Sequence, residues 1–156
     1  MTDQTRDNPG VMAFPPLLYV ATLATSLLLQ VLAPWHPFSV PLRRFLGGLL
    51  LISSAVLAKW GENTLRRAGT NVDPRQPSLV LVTEGPFRFT RNPLYLALIG
   101  LYLGITLLLN AFWPWLFLLP LLVMTHYGIV RREERYLEAK FGEAYRAYRT
   151  RVRRYL

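Results

Sequence analysis

Leu94 to Val130 is a run of thirty-seven residues without a formal charge. As a single helix it would extend roughly 55 Å, far beyond the ~30 Å of hydrocarbon in a bilayer. The run therefore has to fold back on itself. The break belongs near Asn110 to Pro114, where Asn110, Pro114 and the flanking Trp113 and Trp115 interrupt the aliphatic pattern and bring aromatics to interface depth. Phe14 to Ala33 supplies twenty more uncharged residues, enough for one span. The tail before it carries Asp3 and Asp7 beside a lone Arg6 and lacks the basic start of a signal peptide. Phe45 to Ala58 is shorter, but Lys59 can snorkel and Trp60 suits an interface, which lengthens the usable helix. The expected fold class is all-α: a polytopic membrane bundle of about four transmembrane helices, the last two a short hairpin, with a C-terminal amphipathic helix. The chain divides into a tail at 1–13, two spans within 14–61, a loop at 62–93, the hairpin at 94–130 and a final helix at 131–156, all one membrane domain.

Eighteen Lys and Arg stand against nine Asp and Glu, a formal charge of +9. Their distribution explains the excess. Arg6, six basic residues from Lys59 to Arg91 and nine from Arg131 onward fall on one side of the four spans, against Arg43 and Arg44 on the other. The positive-inside rule places both termini and the middle loop in the cytoplasm, as for a multi-pass protein of a bacterial inner membrane. Nucleic acid is thereby excluded as the expected partner. With no cysteine and only His36 and His126, neither thiolate chemistry nor a metal cluster is expected.

The basic segments also carry the candidate chemistry. Gly69 to Pro74 and Glu84-Gly85-Pro86 are turn signals around a brief extended piece at Leu79 to Val82. Asn92 reads as an N-cap with Pro93 at the first helical position, so the third span starts at the cytoplasmic surface with Arg88 and Arg91 beside its positive dipole end. That arrangement suits an anionic ligand group and equally suits an ordinary cap with snorkelling arginines. From Val130 the residues Leu137, Phe141, Tyr145, Tyr148 and Val152 form the apolar stripe of one long helix lying on the membrane or across the bundle mouth. Glu133 and Glu134 begin it. Adjacent helical residues diverge by about 100°, so one of them can face a pocket while the other pairs with Arg131 or Arg132; both also fit a solvated helix start.

Taken together, Gly85-Pro86-Phe87-Arg88-Phe89-Thr90-Arg91-Asn92-Pro93-Leu94-Tyr95, Glu133-Glu134-Arg135-Tyr136-Leu137 and Phe141-Gly142-Glu143-Ala144-Tyr145-Arg146-Ala147-Tyr148 resemble the isoprenylcysteine carboxyl methyltransferase and phospholipid methyltransferase superfamily. The resemblance covers residues 64 to 154 and rests on the order and spacing of the three stretches around a two-helix hairpin. It implies an integral membrane enzyme that binds S-adenosylmethionine in a cytoplasm-facing pocket and methylates a lipophilic acceptor entering from the bilayer, an isoprenylcysteine-type carboxylate or a phospholipid amine. It further implies that Arg91, Asn92, Pro93, Tyr95, Glu133 and Glu134 line the cofactor site, and that Arg151 and either Arg131 or Arg132 hold the acceptor. The family's histidine is Asn92 here, which can position a ligand but cannot carry a proton near neutrality.

Methyl transfer from a sulfonium is an in-line displacement, so the protein aligns donor and acceptor and excludes water. A Glu can accept from ribose hydroxyls or sit near the cationic groups, arginine can take the methionyl carboxylate, and Tyr95 and Tyr145 could flank the adenine. A carboxylate acceptor is already ionised at pH 7, which favours O-methylation; an amine or thiol also needs a base, for which Glu134 is the candidate and His126 a poor second. Two other readings compete: an NADPH-dependent membrane reductase of the sterol type, which shares an Arg-x-Pro-x-Tyr-like element, and a non-catalytic membrane partner protein. The small residues Gly47-Gly48, Gly100 and Gly104 suit helix packing within one chain or between chains.

Overall fold

The computed structural model describes residues 7–37 and 39–155; Asp3 and Arg6, part of the N-terminal tail read above, lie outside the described residues. Five α-helices run in the order α1 (Pro15–Leu32), α2 (Val40–Arg67), α3 (Pro93–Leu108), α4 (Trp113–Thr125) and α5 (Arg131–Arg151), with a 3₁₀ turn at Gly85–Arg88 and a π turn at His126–Val130 between α4 and α5. No strand occurs among the described residues, so Leu79 to Val82 is irregular loop. By length and composition α1, α2 and the continuous helix Trp113–Arg151 can cross a membrane, and α3 is a shorter apolar helix. The apolar part of that continuous helix ends at Val130, and α5 lies beyond it.

Helix α2 is longer than its uncharged core. It begins at Val40, so Arg43 and Arg44 sit in its first turns instead of a loop, and it runs to Arg67, six residues into the stretch read as loop. The Arg43 guanidinium donates to the Leu108 carbonyl, one of the acceptors left open where α3 ends. The hairpin breaks where expected, with Asn110 in the left-handed region at φ 52°. Gln30 of α1 ties this turn down: its amide donates to the Trp35 carbonyl at 2.8 Å and its oxygen accepts from the Phe112 N–H at 3.0 Å.

Helix α2 packs along α3, and α1 along α4, whereas α1 and α2 share no substantial contact although they are consecutive. The α2–α3 seam is built on small residues. A Cβ added to Gly47 would meet the Gly104 carbonyl at 3.1 Å, and one added to Gly104 would meet the Gly47 carbonyl at the same distance. Gly100 lies against Ser54, and Gly61 against Leu94. These small residues therefore pack helices within one chain, while Gly48 faces open space. On the other seam Tyr19 meets Tyr102 edge to face at 6.3 Å beside the buried Leu121.

The C-terminal segment is not one long helix. Gly142 takes φ 52° and ψ −123°, a backbone open to glycine, and breaks α5. Glu138 and Arg149 prove the reversal: eleven residues apart, they would be separated by about 16 Å along a straight helix, yet their side chains meet at 2.8 Å. The second piece returns toward the bundle and buries Tyr145 and Tyr148.

Candidate functional site

At the basic end of the bundle a cavity of about 620 Å³ opens among the start of α1, the last turns of α2, the loop 70–82, the first half of α3 and both pieces of α5. Its volume lies within the ~300–1,000 Å³ of typical small-molecule sites. One arm is apolar, walled by Phe14, Pro15, Ala58, Leu94, Leu98 and Leu101 where α1 and α2 stand apart. The other is charged and contains Arg91, Glu133, Glu134 and Tyr145.

The charged arm is assembled from three segments: the start of α3, the first turn of α5 and the piece of α5 beyond the reversal at Gly142. Pro93 starts α3 with Asn92 at the cap position, but the Asn92 side chain makes no cap hydrogen bond and instead donates to the Arg154 carbonyl at 2.9 Å. The N-cap expected of Asn92 is thus replaced by a tether to the C-terminal segment. Helix α5 brings the acidic doublet, and the reversal at Gly142 brings Tyr145 and Tyr148. Tyr145 is within 3.4 Å of Arg91, whose guanidinium donates to its hydroxyl, and Tyr148 donates to the Phe87 carbonyl at 2.7 Å.

Glu133 and Glu134 both line the cavity, contrary to the expectation that one would turn away to Arg131 or Arg132. They have different partners. Glu134 is neutralised twice, by Arg91 at 3.1 Å and by Arg154 through a bidentate contact at 2.8 Å and 3.0 Å. The Arg91 side chain is 9% exposed. Glu133 accepts a 2.7 Å hydrogen bond from the Tyr95 hydroxyl and has no ion pair among the described residues. The other cavity carboxylates are matched, Glu62 by Arg66 and Asp73 by Arg75. Burial raises the pKa of the Glu133 carboxyl from its ordinary value, the Tyr95 hydrogen bond opposing the shift and the Glu134 charge adding to it. Burial also raises the Tyr145 hydroxyl, with the Glu134 charge adding to it. The Glu134 hydrogen bond raises Arg154 further.

One donor is left over. Arg91 Nε is buried and without a partner among the described residues, an unmet donor in the same cavity as a carboxylate, Glu133, that has no ion pair among them.

The structure brings Arg91, Asn92, Pro93, Tyr95, Glu133, Glu134 and Tyr145 together around the cavity. It does not bring Arg131 and Arg151 there. Arg131 lies over the Tyr127 ring at 5.4 Å, and Arg151 donates to the Ala147 carbonyl at 3.1 Å on the exposed face. His126 meets the Tyr155 hydroxyl at 2.9 Å, outside the cavity. Sequence reasoning missed Arg154, Thr90 and the loop residues Asn71 and Asp73. Gly142 inside an amphipathic helix was the available signal for the return that places Arg154.

Two comparisons bear on this arrangement. The family model described as phospholipid methyltransferase matches residues 42–144, from the start of α2 past the reversal at Gly142. An uncharacterized protein of Haemophilus influenzae is 40% identical over 63 residues, which covers 40% of this chain and 100% of that protein. No solved structure matches.

Proposed function

Since this chain belongs to the phospholipid methyltransferase family, we propose that it moves a methyl group from S-adenosylmethionine to a lipophilic acceptor held at the cytoplasmic end of the membrane bundle. The observation that carries this reading is the pairing, in one cavity, of an unpartnered buried donor at Arg91 Nε with a carboxylate, Glu133, that faces no cation. A zwitterionic amino-acid moiety, such as the methionyl end shared by S-adenosylmethionine and S-adenosylhomocysteine, matches both. Glu133 takes the cationic group, Arg91 takes the carboxylate, and Glu134 holds Arg91 in place; Tyr145 and Tyr95 wall the site. S-adenosylmethionine supplies an activated methyl on a sulfonium, and no residue of this chain has to act as nucleophile.

The chain's own contribution is alignment and exclusion of water. The apolar arm between α1 and α2 admits an acyl or prenyl tail sideways from the bilayer, and the charged arm faces the cytoplasm, where both termini lie. The acceptor's reacting group then meets the cofactor where the arms join, beside Glu133. Acceptors of the carboxylate class are ionised already, whereas an amine needs a base. Both carboxylates of the charged arm are engaged, Glu134 by Arg91 and Arg154 and Glu133 by the cofactor's cationic group, which favours the carboxylate class over an amine with Glu134 as base. Arg131 and Arg151 have no part in this reading, since neither lines the cavity.

The test is thermal stabilisation of the purified protein by S-adenosylhomocysteine, with NADPH in parallel. Stabilisation by S-adenosylhomocysteine alone supports the reading. Stabilisation by NADPH alone would transfer the cavity to a reductase, and silence with both would point to a non-catalytic partner protein.

A further inference from the structure

The last residues of the chain are fastened to the segment that begins α3. The Arg154 carbonyl accepts from the Asn92 amide at 2.9 Å and from the Thr90 hydroxyl at 3.1 Å, so both of its lone pairs are used. The Thr90 hydroxyl in turn accepts from the Asn92 N–H at 3.2 Å, and the Arg91 N–H donates to the Arg153 carbonyl at 2.9 Å. Thr90 and Asn92 are both buried. Three consecutive residues, 90–92, thereby hold two consecutive carbonyls, 153 and 154. The side chain that projects from this fastened backbone is the Arg154 guanidinium, which engages both oxygens of Glu134.

We propose that Asn92, assisted by Thr90, is a positioning residue that acts on the cofactor site only through Arg154. The clamp keeps the guanidinium on Glu134. Glu134, charge-balanced on one side by Arg154, then orients Arg91 from the other, which leaves Arg91 Nε directed at the ligand instead of searching for a partner. An amide suits this task because its N–H is present at every pH, and its target is a neutral carbonyl. The inference rests on the cofactor reading of the cavity but concerns a contact outside it.

Asn92→Leu is the decisive variant: it keeps the approximate shape of the side chain, adds no charge and removes its N–H donors. S-adenosylhomocysteine is titrated into the full chain in lipid nanodiscs. Asn92→Leu and Arg154→Gln each weaken binding, Asn92→Leu by about three- to tenfold, the range of one lost hydrogen bond. The double variant binds no more weakly than Arg154→Gln alone. Losses that multiply would overturn the proposal, because Asn92 would then act on the ligand directly. Hydrogen exchange of the Arg91 amide is measured without ligand in the same variants; it accelerates in Asn92→Leu if the clamp holds the terminal segment, and an unchanged rate would also overturn the proposal. If Asn92→Leu does not fold, Thr90→Val, which removes one of the two donors, carries the same readouts with a smaller effect. Should the unaltered protein bind no S-adenosylhomocysteine, the cofactor reading fails and the exchange rate alone decides the clamp.

Discussion

Tyr95 and Glu133 are joined by a 2.7 Å hydrogen bond from the first turn of α3 to the first turn of α5. It fixes the cavity carboxylate that has no cation against it among the described residues and works against the rise in its pKa caused by burial.

Removing that donor moves the acid limb of ligand binding. In Tyr95→Phe the lowering influence on Glu133 is gone, so its pKa rises further and the carboxylate is lost by protonation at a higher pH than in the unaltered protein. Attraction for a cationic ligand group falls with it. S-adenosylhomocysteine affinity measured from pH 8 downward should therefore begin to decline earlier in Tyr95→Phe, while Glu133→Gln removes this limb and weakens binding about tenfold or more at pH 8, as expected for a hydrogen bond to a charged group. Identical pH profiles in Tyr95→Phe and the unaltered protein would remove Glu133 from the cationic role.

Arg91 carries a second test, because it supplies the unmet donor. Lysine preserves the charge but lacks Nε and the planar fork. Arg91→Lys should keep the fold, since Glu134 retains Arg154, and should weaken S-adenosylhomocysteine about tenfold. An affinity within twofold of the original would show that charge alone suffices and that Nε meets nothing.

Much of this architecture is legible in the chain. The uncharged runs give the helices, and Asn110 marks the hairpin break because a polar, αL-tolerant residue there satisfies the chain reversal. What stays hidden is pairing across distance. Nothing in the local pattern tells Glu134 from Glu133, since the difference lies in Arg154, twenty residues away by sequence and brought near by the break at Gly142. The apolar stripe from Leu137 to Val152 has helical spacing throughout, and periodicity cannot register a single glycine that turns the axis. For the same reason Arg151 and Arg154 are indistinguishable by composition, and the clamp on the Arg154 carbonyl separates them.

Gly142 is accordingly a stability test. Its φ of 52° with ψ of −123° suits glycine and strains any residue with a Cβ, though the space around it is open. Gly142→Ala should cost about 1–3 kcal/mol from backbone strain. The loss should come with weakened burial of Tyr145 and Tyr148 and a lower melting temperature. A melting temperature equal to that of the unaltered protein would contradict the reversal.

The α2–α3 seam tests the packing that frames the apolar arm. Gly100 sits against the Ser54 side chain so closely that a methyl group cannot be added without displacement, and Gly47 and Gly104 approach each other's carbonyls. Overpacking of this kind costs about 1–3 kcal/mol. Gly100→Ala should lower the melting temperature of the purified protein, and Ser54→Gly in the same chain should recover part of the loss by vacating the space, even though Ser54→Gly alone is mildly destabilising within a helix. The pair of variants separates a contact within one chain from one between chains. Rescue that is independent of protein concentration belongs to the intramolecular seam seen here, whereas rescue that appears only at high concentration would assign Gly100 to an interface between copies.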